Sequence, residues 1–184
     1  MEKIIHYQEK EKKIFEKYLR RIEAVALENE DQSLLALLKD PEKMENDFTF
    51  LLKEDGRVKS AICLNDDVLL GLFPKSKKQM NLFDLYDEIG IQDERVIQIS
   101  FFGSDPADVE KGYMGRLFLF LTNSFKNVSW LVLIPESNEK AARFLWKRGY
   151  LAAKQATDFE THEGTKMVLF LNKLRRKGLA SFGF

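Results

Sequence analysis

Residues 99 to 117 run Ile-Ser-Phe-Phe-Gly-Ser-Asp-Pro-Ala-Asp-Val-Glu-Lys-Gly-Tyr-Met-Gly-Arg-Leu, from an apolar strand pattern through a polar loop into a helix pattern. Gly112 and Gly115 stand at the turn into that helix, flanked by Lys111 and Arg116. The first N–H groups of a helix lack an intrahelical partner, and the helix dipole adds partial positive charge there. Glycines let an anion approach the backbone, and two cations add attraction, so the segment suits a phosphate or diphosphate. It also suits a plain glycine turn with exposed charges, and its local sequence leaves both open. A second stretch, residues 133 to 150, places Asn138 at a helix start directly after an apolar run. Ala141 and Ala142 allow that helix to pack closely, and Lys147-Arg148-Gly149 ends it with dipole-matched cations and a Gly cap. Asp105, Glu136 and Ser137 fall at strand ends and are candidate bases, each also readable as a loop or helix cap. His162 sits in the Asp158–Gly164 turn, where solvent exposure is the simpler expectation, and Cys63 reads as a buried strand residue.

These residues need a scaffold, and its pattern is legible. Lys3–Tyr7 reads as a strand and Glu9–Glu28 as a helix whose Ile14, Phe15, Tyr18, Leu19, Ile22 and Val25 form one apolar stripe. Asp31 can cap a short helix, Ser33–Leu38. Phe48–Lys53 and Val58–Leu64 flank Asp55-Gly56, a strong hairpin signal. Val68–Phe73 reads as a third strand of that meander, Lys75–Gln79 as a loop and Leu82–Ile89 as a short helix. Thereafter strands and helices alternate: Val96–Phe102, Gly112–Phe125, Trp130–Ile134, Asn138–Arg148, Leu151–Ala156 and Met167–Leu171. The continuous apolar run Trp130–Ile134 suits a strand covered on both faces. The order predicts an α/β (α+β) fold: a mixed, mostly antiparallel central sheet with helices on both faces, in a single domain spanning 1–184.

Composition narrows the function. The 184 residues carry 29 Lys plus Arg against 29 Asp plus Glu, so a net charge of zero argues against a nucleic-acid binder. One Cys and two His exclude an intramolecular disulfide and leave little for a metal. No apolar run approaches the length of a membrane helix, and the N-terminal residues lack the apolar core of a signal peptide, so a cytoplasmic location is expected. The tail Arg175–Phe184 reads as frayed, or docked on a neighbouring subunit of a homodimer.

Asn138 through Tyr150 has Asn at its start, Ala three residues on, an aromatic at six, Lys at nine, Gly at eleven and an aromatic at twelve. With Glu110-Lys111-Gly112-Tyr113-Met114-Gly115 upstream, it resembles the GNAT superfamily of acetyl-CoA-dependent N-acyltransferases. The resemblance covers nearly the whole chain and is firmest over 96–174. It implies that coenzyme A lies between the family's fourth and fifth strands, with the pantetheine on the backbone of Phe102 and Gly103. The diphosphate would sit on the N–H groups of Lys111, Gly112, Tyr113, Met114, Gly115 and Arg116. Asn138 would contact the pantetheine arm and Arg143 the nucleotide end. The implied reaction is direct acetyl transfer from acetyl-CoA to a primary amine, on a small molecule or a peptide, with no metal; a backbone N–H near Phe102 would stabilise the oxyanion. Three positions depart from the family pattern. Glu110 replaces the usual Arg or Gln, Tyr113 replaces the middle Gly, and Leu145 replaces a Tyr that protonates the thiolate. Leu cannot donate a proton. Glu110 and Leu145 keep open, as an alternative, a weakly catalytic acyl-CoA sensor or protein-interaction module; a different acyl donor stays open as well.

Overall fold

A computed structural model describes residues 1–31, 34–35, 38–39, 48–65, 73–74, 95–154, 159–160 and 166–172. They pack as two compact units, one drawn mainly from Met1–Asp67 and Gln98–Lys126, the other mainly from Asn127–His162 and Lys166–Phe184.

The first unit begins with β1 (Lys3–His6), a 3₁₀ turn and α1 (Lys12–Glu28). Asp31 Oδ1 accepts from the Leu34 N–H at 3.0 Å, the cap expected of it. Next come β2 (Thr49–Glu54) and β3 (Arg57–Asn65). Asp55 and Gly56 both take positive φ, 49° and 73°, the paired left-handed geometry of a two-residue hairpin turn. β1, β2, β3 and β5 (Val96–Ser104) pair antiparallel in that order.

Because successive strand residues face opposite ways, the register sorts the apolar side chains into two layers. On one face Leu51, Ala61, Cys63 and Phe101 pack with Phe15, Tyr18, Leu19 and Ile22 of α1. On the other, α2 (Tyr113–Ser124) and the residue after it bring Phe118 edge-on to Phe102, and Phe120 and Phe125 to Phe50. Helices on both faces explain why Leu51, Leu52, Ala61, Ile62 and Cys63 are all buried.

In the second unit β6 (Ser129–Pro135) pairs antiparallel with β9 (Met167–Asn172), and β9 with β7 (Leu151–Lys154). Between β6 and β7 lies α3 (Glu139–Trp146). Its end is a six-to-one cap: the Tyr150 N–H donates to Leu145 O and the Gly149 N–H to Trp146 O, with Gly149 at φ 82°. Two short strands, β4 (Phe73–Pro74) and β8 (Phe159–Glu160), pair with each other.

The fold class is therefore as the sequence indicates: mixed α/β, with a mostly antiparallel sheet. One pairing differs. β3 takes β5 as its second neighbour, and Phe73–Pro74 joins β8 instead of extending the hairpin. Ala61 and Ile62 are buried on both faces, so β3 needs an apolar partner on its free edge, and the Phe101-Phe102 run supplies it. The rest of Val68–Phe73, with Lys75–Gln79 and Leu82–Ile89, lies outside the described residues.

Candidate functional site

The end of β5 is held by α1. The Tyr18 hydroxyl donates to Gly103 O at 2.6 Å. A Cβ at position 103 would stand 2.9 Å from Cζ of Phe101 and 3.1 Å from the Tyr18 oxygen, so only glycine fits under that contact. One helical turn on, Arg21 donates to Asp105 Oδ2 through Nε at 2.8 Å, with Nη2 at 2.6 Å from the same oxygen. The other oxygen of Asp105 accepts from the Ala107 N–H at 3.2 Å and so caps the 3₁₀ helix Pro106–Lys111. Buried and bonded on both oxygens, Asp105 is a structural carboxylate, the cap reading of that residue.

The same 3₁₀ helix carries Asp108, which is buried between two cations. Lys59 Nζ and Lys111 Nζ each lie 2.6 Å from one of its oxygens. The hydrogen bond from Lys111, then that from Lys59, pulls the carboxyl below its usual range, and the bond to Asp108 raises Lys111 in turn.

Gly112 then takes the left-handed conformation, φ 72° and ψ 15°, and opens α2. A Cβ there would meet nothing within 4 Å, so space does not select this glycine; backbone conformation does. Gly112 has no side chain to cap α2, and the first hydrogen bond inside the helix runs from the Arg116 N–H to Gly112 O. The N–H groups of Tyr113, Met114 and Gly115 precede that bond and are left by helix geometry to donate to an external acceptor. Tyr113 is buried and its hydroxyl donates to Glu54, which raises the phenol above its ordinary value. Arg116 stacks over the Tyr113 ring at 4.6 Å and bridges to Glu2 at 3.1 Å. Glu110 is exposed. The structure thus gathers Phe102, Gly103 and Lys111 through Arg116 along one strand–turn–helix path, with both flanking cations already paired to carboxylates.

In the second unit Asn138 caps α3: its Oδ1 accepts from the Ala141 N–H at 3.0 Å. That leaves its amide N–H groups as the end of the side chain able to reach a ligand. Arg143 is exposed and bridges to Glu139 at 3.1 Å. Leu145 is fully buried, and the exposed residue beside it is Trp146. Glu136 and Ser137 are exposed at the end of β6. Cys63 is a core residue as expected, and burial pushes its thiol up to about 12. His162 lies outside the described residues.

No family model and no curated protein sequence matches the chain. Solved structures do. An acetyltransferase of the GNAT family from Streptococcus agalactiae aligns with a TM-score of 0.65 at 13% identity, covering 96% of each chain. The ribosomal-protein-S18-alanine N-acetyltransferase of Escherichia coli aligns with a TM-score of 0.60 at 11% identity over the whole of both chains. The chain has the GNAT fold. A third relative in shape, N-acetylglutamate synthase from Neisseria gonorrhoeae complexed with coenzyme A and N-acetyl-glutamate, shares it with a TM-score of 0.55 at 13% identity. This chain covers 36% of that one.

The glycine turn into α2 was legible from the sequence, with a phosphate seat and a plain turn both open as readings of it. Tyr18, Arg21, Lys59 and Asp108 were not. Tyr18 reads as one more residue of the apolar stripe of α1, and an Arg three residues after it, on the edge of that stripe, is the signal that α1 holds something polar. Among the described residues no helix is long and apolar enough to cross a membrane.

Proposed function

We propose that this chain is an acyl-CoA-dependent N-acyltransferase that moves an acetyl group from acetyl-CoA to a primary amine. The observation that carries the proposal is the left-handed Gly112 at the head of α2, reached from β5 through the 3₁₀ helix Pro106–Lys111, on a GNAT fold. The N–H groups of Tyr113, Met114 and Gly115 converge where a diphosphate would lie, and an anion at a helix N-terminus gains about 0.3–1 kcal/mol from the dipole, up to about 2 when partly buried. Arg116 and Lys111 add their charge by changing partners. The Arg116–Glu2 pair is half exposed, and such pairs contribute only about 0–1 kcal/mol. A diphosphate carrying two or more charges out-competes a single carboxylate for that guanidinium.

The coenzyme supplies the activated thioester; the chain supplies position. The amine nitrogen bonds to the thioester carbon, the carbon–sulfur bond breaks, the amine loses a proton and the thiolate gains one. Phe102 and Gly103 would line the pantetheine arm, with the Gly103 carbonyl fixed in place by Tyr18. Asn138 would offer its amide N–H, and Arg143 would reach the nucleotide. Of the three candidate bases, Asp105 is committed to Arg21, so Glu136, an exposed carboxylate at the end of β6, is the one we assign to the amine proton. Glu136→Gln should lower kcat while leaving the KM for acetyl-CoA within about twofold, the signature of a group that acts in the transition state.

A second reading, a binding module with little turnover, draws on the burial of Leu145 where a proton donor is usual in the family. Coenzyme A release against a panel of primary amines separates the two. Amine-dependent release supports the enzyme; tight coenzyme binding with none supports the module.

A further inference from the structure

Two ammonium groups share one buried carboxylate just ahead of α2. Each oxygen of Asp108 takes a different cation at 2.6 Å, Lys59 Nζ on Oδ2 and Lys111 Nζ on Oδ1. The two lysines differ in place. Lys59 lies in β3 with its side chain 13% exposed, and its carbonyl accepts from the Asp105 N–H at 2.8 Å, which ties it to the start of the 3₁₀ helix. Lys111 precedes Gly112, and its side chain is 59% exposed. Lys111 can turn outward to a ligand; Lys59 cannot.

Opening a surface ion pair costs little, but a buried carboxylate left without its cation is strongly unfavourable, because no water replaces the partner. Asp108 stays ionised at neutral pH, since the bonds from Lys111 and then Lys59 hold it below the usual carboxylate range. With Lys111 as its sole cation, Asp108 would be stranded whenever Lys111 reached for a ligand. Lys59 gives the trio one surplus positive charge, and the exposed member carries it. Glu54, whose field also reaches Lys111, accepts the Tyr113 hydroxyl.

We infer that Lys59 is a positioning residue for the coenzyme: it keeps Asp108 paired while Lys111 turns its ammonium to the diphosphate at the head of α2. The inference rests on the acyl-CoA reading given above. The ammonium of Lys59 is held on Asp108, so its effect on the ligand runs through Lys111. A brace between β3 and the 3₁₀ helix would use the same Lys59–Asp108 bond, and the test must separate bracing the turn from releasing Lys111.

Acetyl-CoA is titrated calorimetrically into the full chain and its variants, with the thermal midpoint of each recorded. Lys59→Met leaves one ammonium for one carboxylate, and affinity should fall about three- to tenfold, as for a partly solvated ionic contact. Lys59→Arg keeps a charge-assisted bond to Asp108 and should bind within about twofold of the parent. Lys59→Met combined with Asp108→Asn removes the cation and the carboxylate together. It should bind like the parent although the brace is gone, a result that a bracing role does not give. In a Lys111→Met chain, itself weaker than the parent, Lys59→Met should cause no further loss, because residues that act through one another are not additive. If Lys59→Met alone loses its fold, the combined variant still decides: parent-like binding supports the inference, and binding as weak as that of Lys111→Met overturns it. Equal affinity of Lys59→Met and the parent, or a further loss in the Lys111→Met chain, overturns the inference and leaves coenzyme binding standing. No binding of acetyl-CoA to the parent overturns both.

Discussion

Tyr18 shows how one hydroxyl can organise a strand end. Tyr18→Phe keeps the ring in the core and removes only the bond to Gly103 O, so a stability loss of about 1–2 kcal/mol is expected in urea unfolding. Gly103→Ala should cost at least as much, about 1–3 kcal/mol, because the added carbon presses on the buried Phe101 ring. Tyr18 and Cys63 also set an alkaline limit. Burial raises both above their ordinary values, the thiol from 9.0 to about 12, so the folded chain keeps protons that the unfolded chain has released. Their contribution is complete below the unfolded thiol's 9.0 and is lost as pH rises through the folded value. Denaturation midpoints measured at increasing pH should fall from that point, and Cys63→Val should flatten part of the slope. Asp105→Asn separates a structural carboxylate from a base: a loss of about 1–3 kcal/mol in stability is expected, since Arg21 loses its charged partner. A fall in kcat at unchanged stability would instead make Asp105 catalytic.

The turn into α2 depends on both neighbouring and distant residues. Its glycine is legible because Gly112 needs a left-handed backbone, and Asn tolerates that region better than other residues do. Gly112→Asn should therefore fold with nearly the parent midpoint, whereas Gly112→Val should lose about 1–2 kcal/mol or more in thermal unfolding. The 3₁₀ helix before it was not legible, being read as loop. Its geometry is set by Asp105 and Asp108, whose cationic partners Arg21 and Lys59 are 84 and 49 residues away in the chain, and no local window can see them. The hairpin at Asp55-Gly56 and the helix cap at Asn138 were legible because each is decided by a few adjacent residues. The pairing of β3 with β5 was not, since it is decided by which apolar run reaches a buried edge. The burial of Leu145 was missed for the same reason: the motif alignment gives its place in α3 and says nothing of what covers it.

For the molecule as a whole, alternation of strand and helix patterns was enough to give the fold class, and two short motifs were enough to give the resemblance that the solved structures of similar shape bear out. The proposed chemistry rests on coenzyme binding at the head of α2. The direct test is calorimetric titration of acetyl-CoA into the parent chain and into Gly115→Val, with the thermal midpoint of each measured alongside. Gly115 lies among the first residues of α2, half-buried, where a branched side chain would block close approach of the diphosphate to the backbone. Saturable one-site binding to the parent, abolished in the variant at an unchanged midpoint, is the predicted result. Equal binding to both, or none to the parent, would contradict the account.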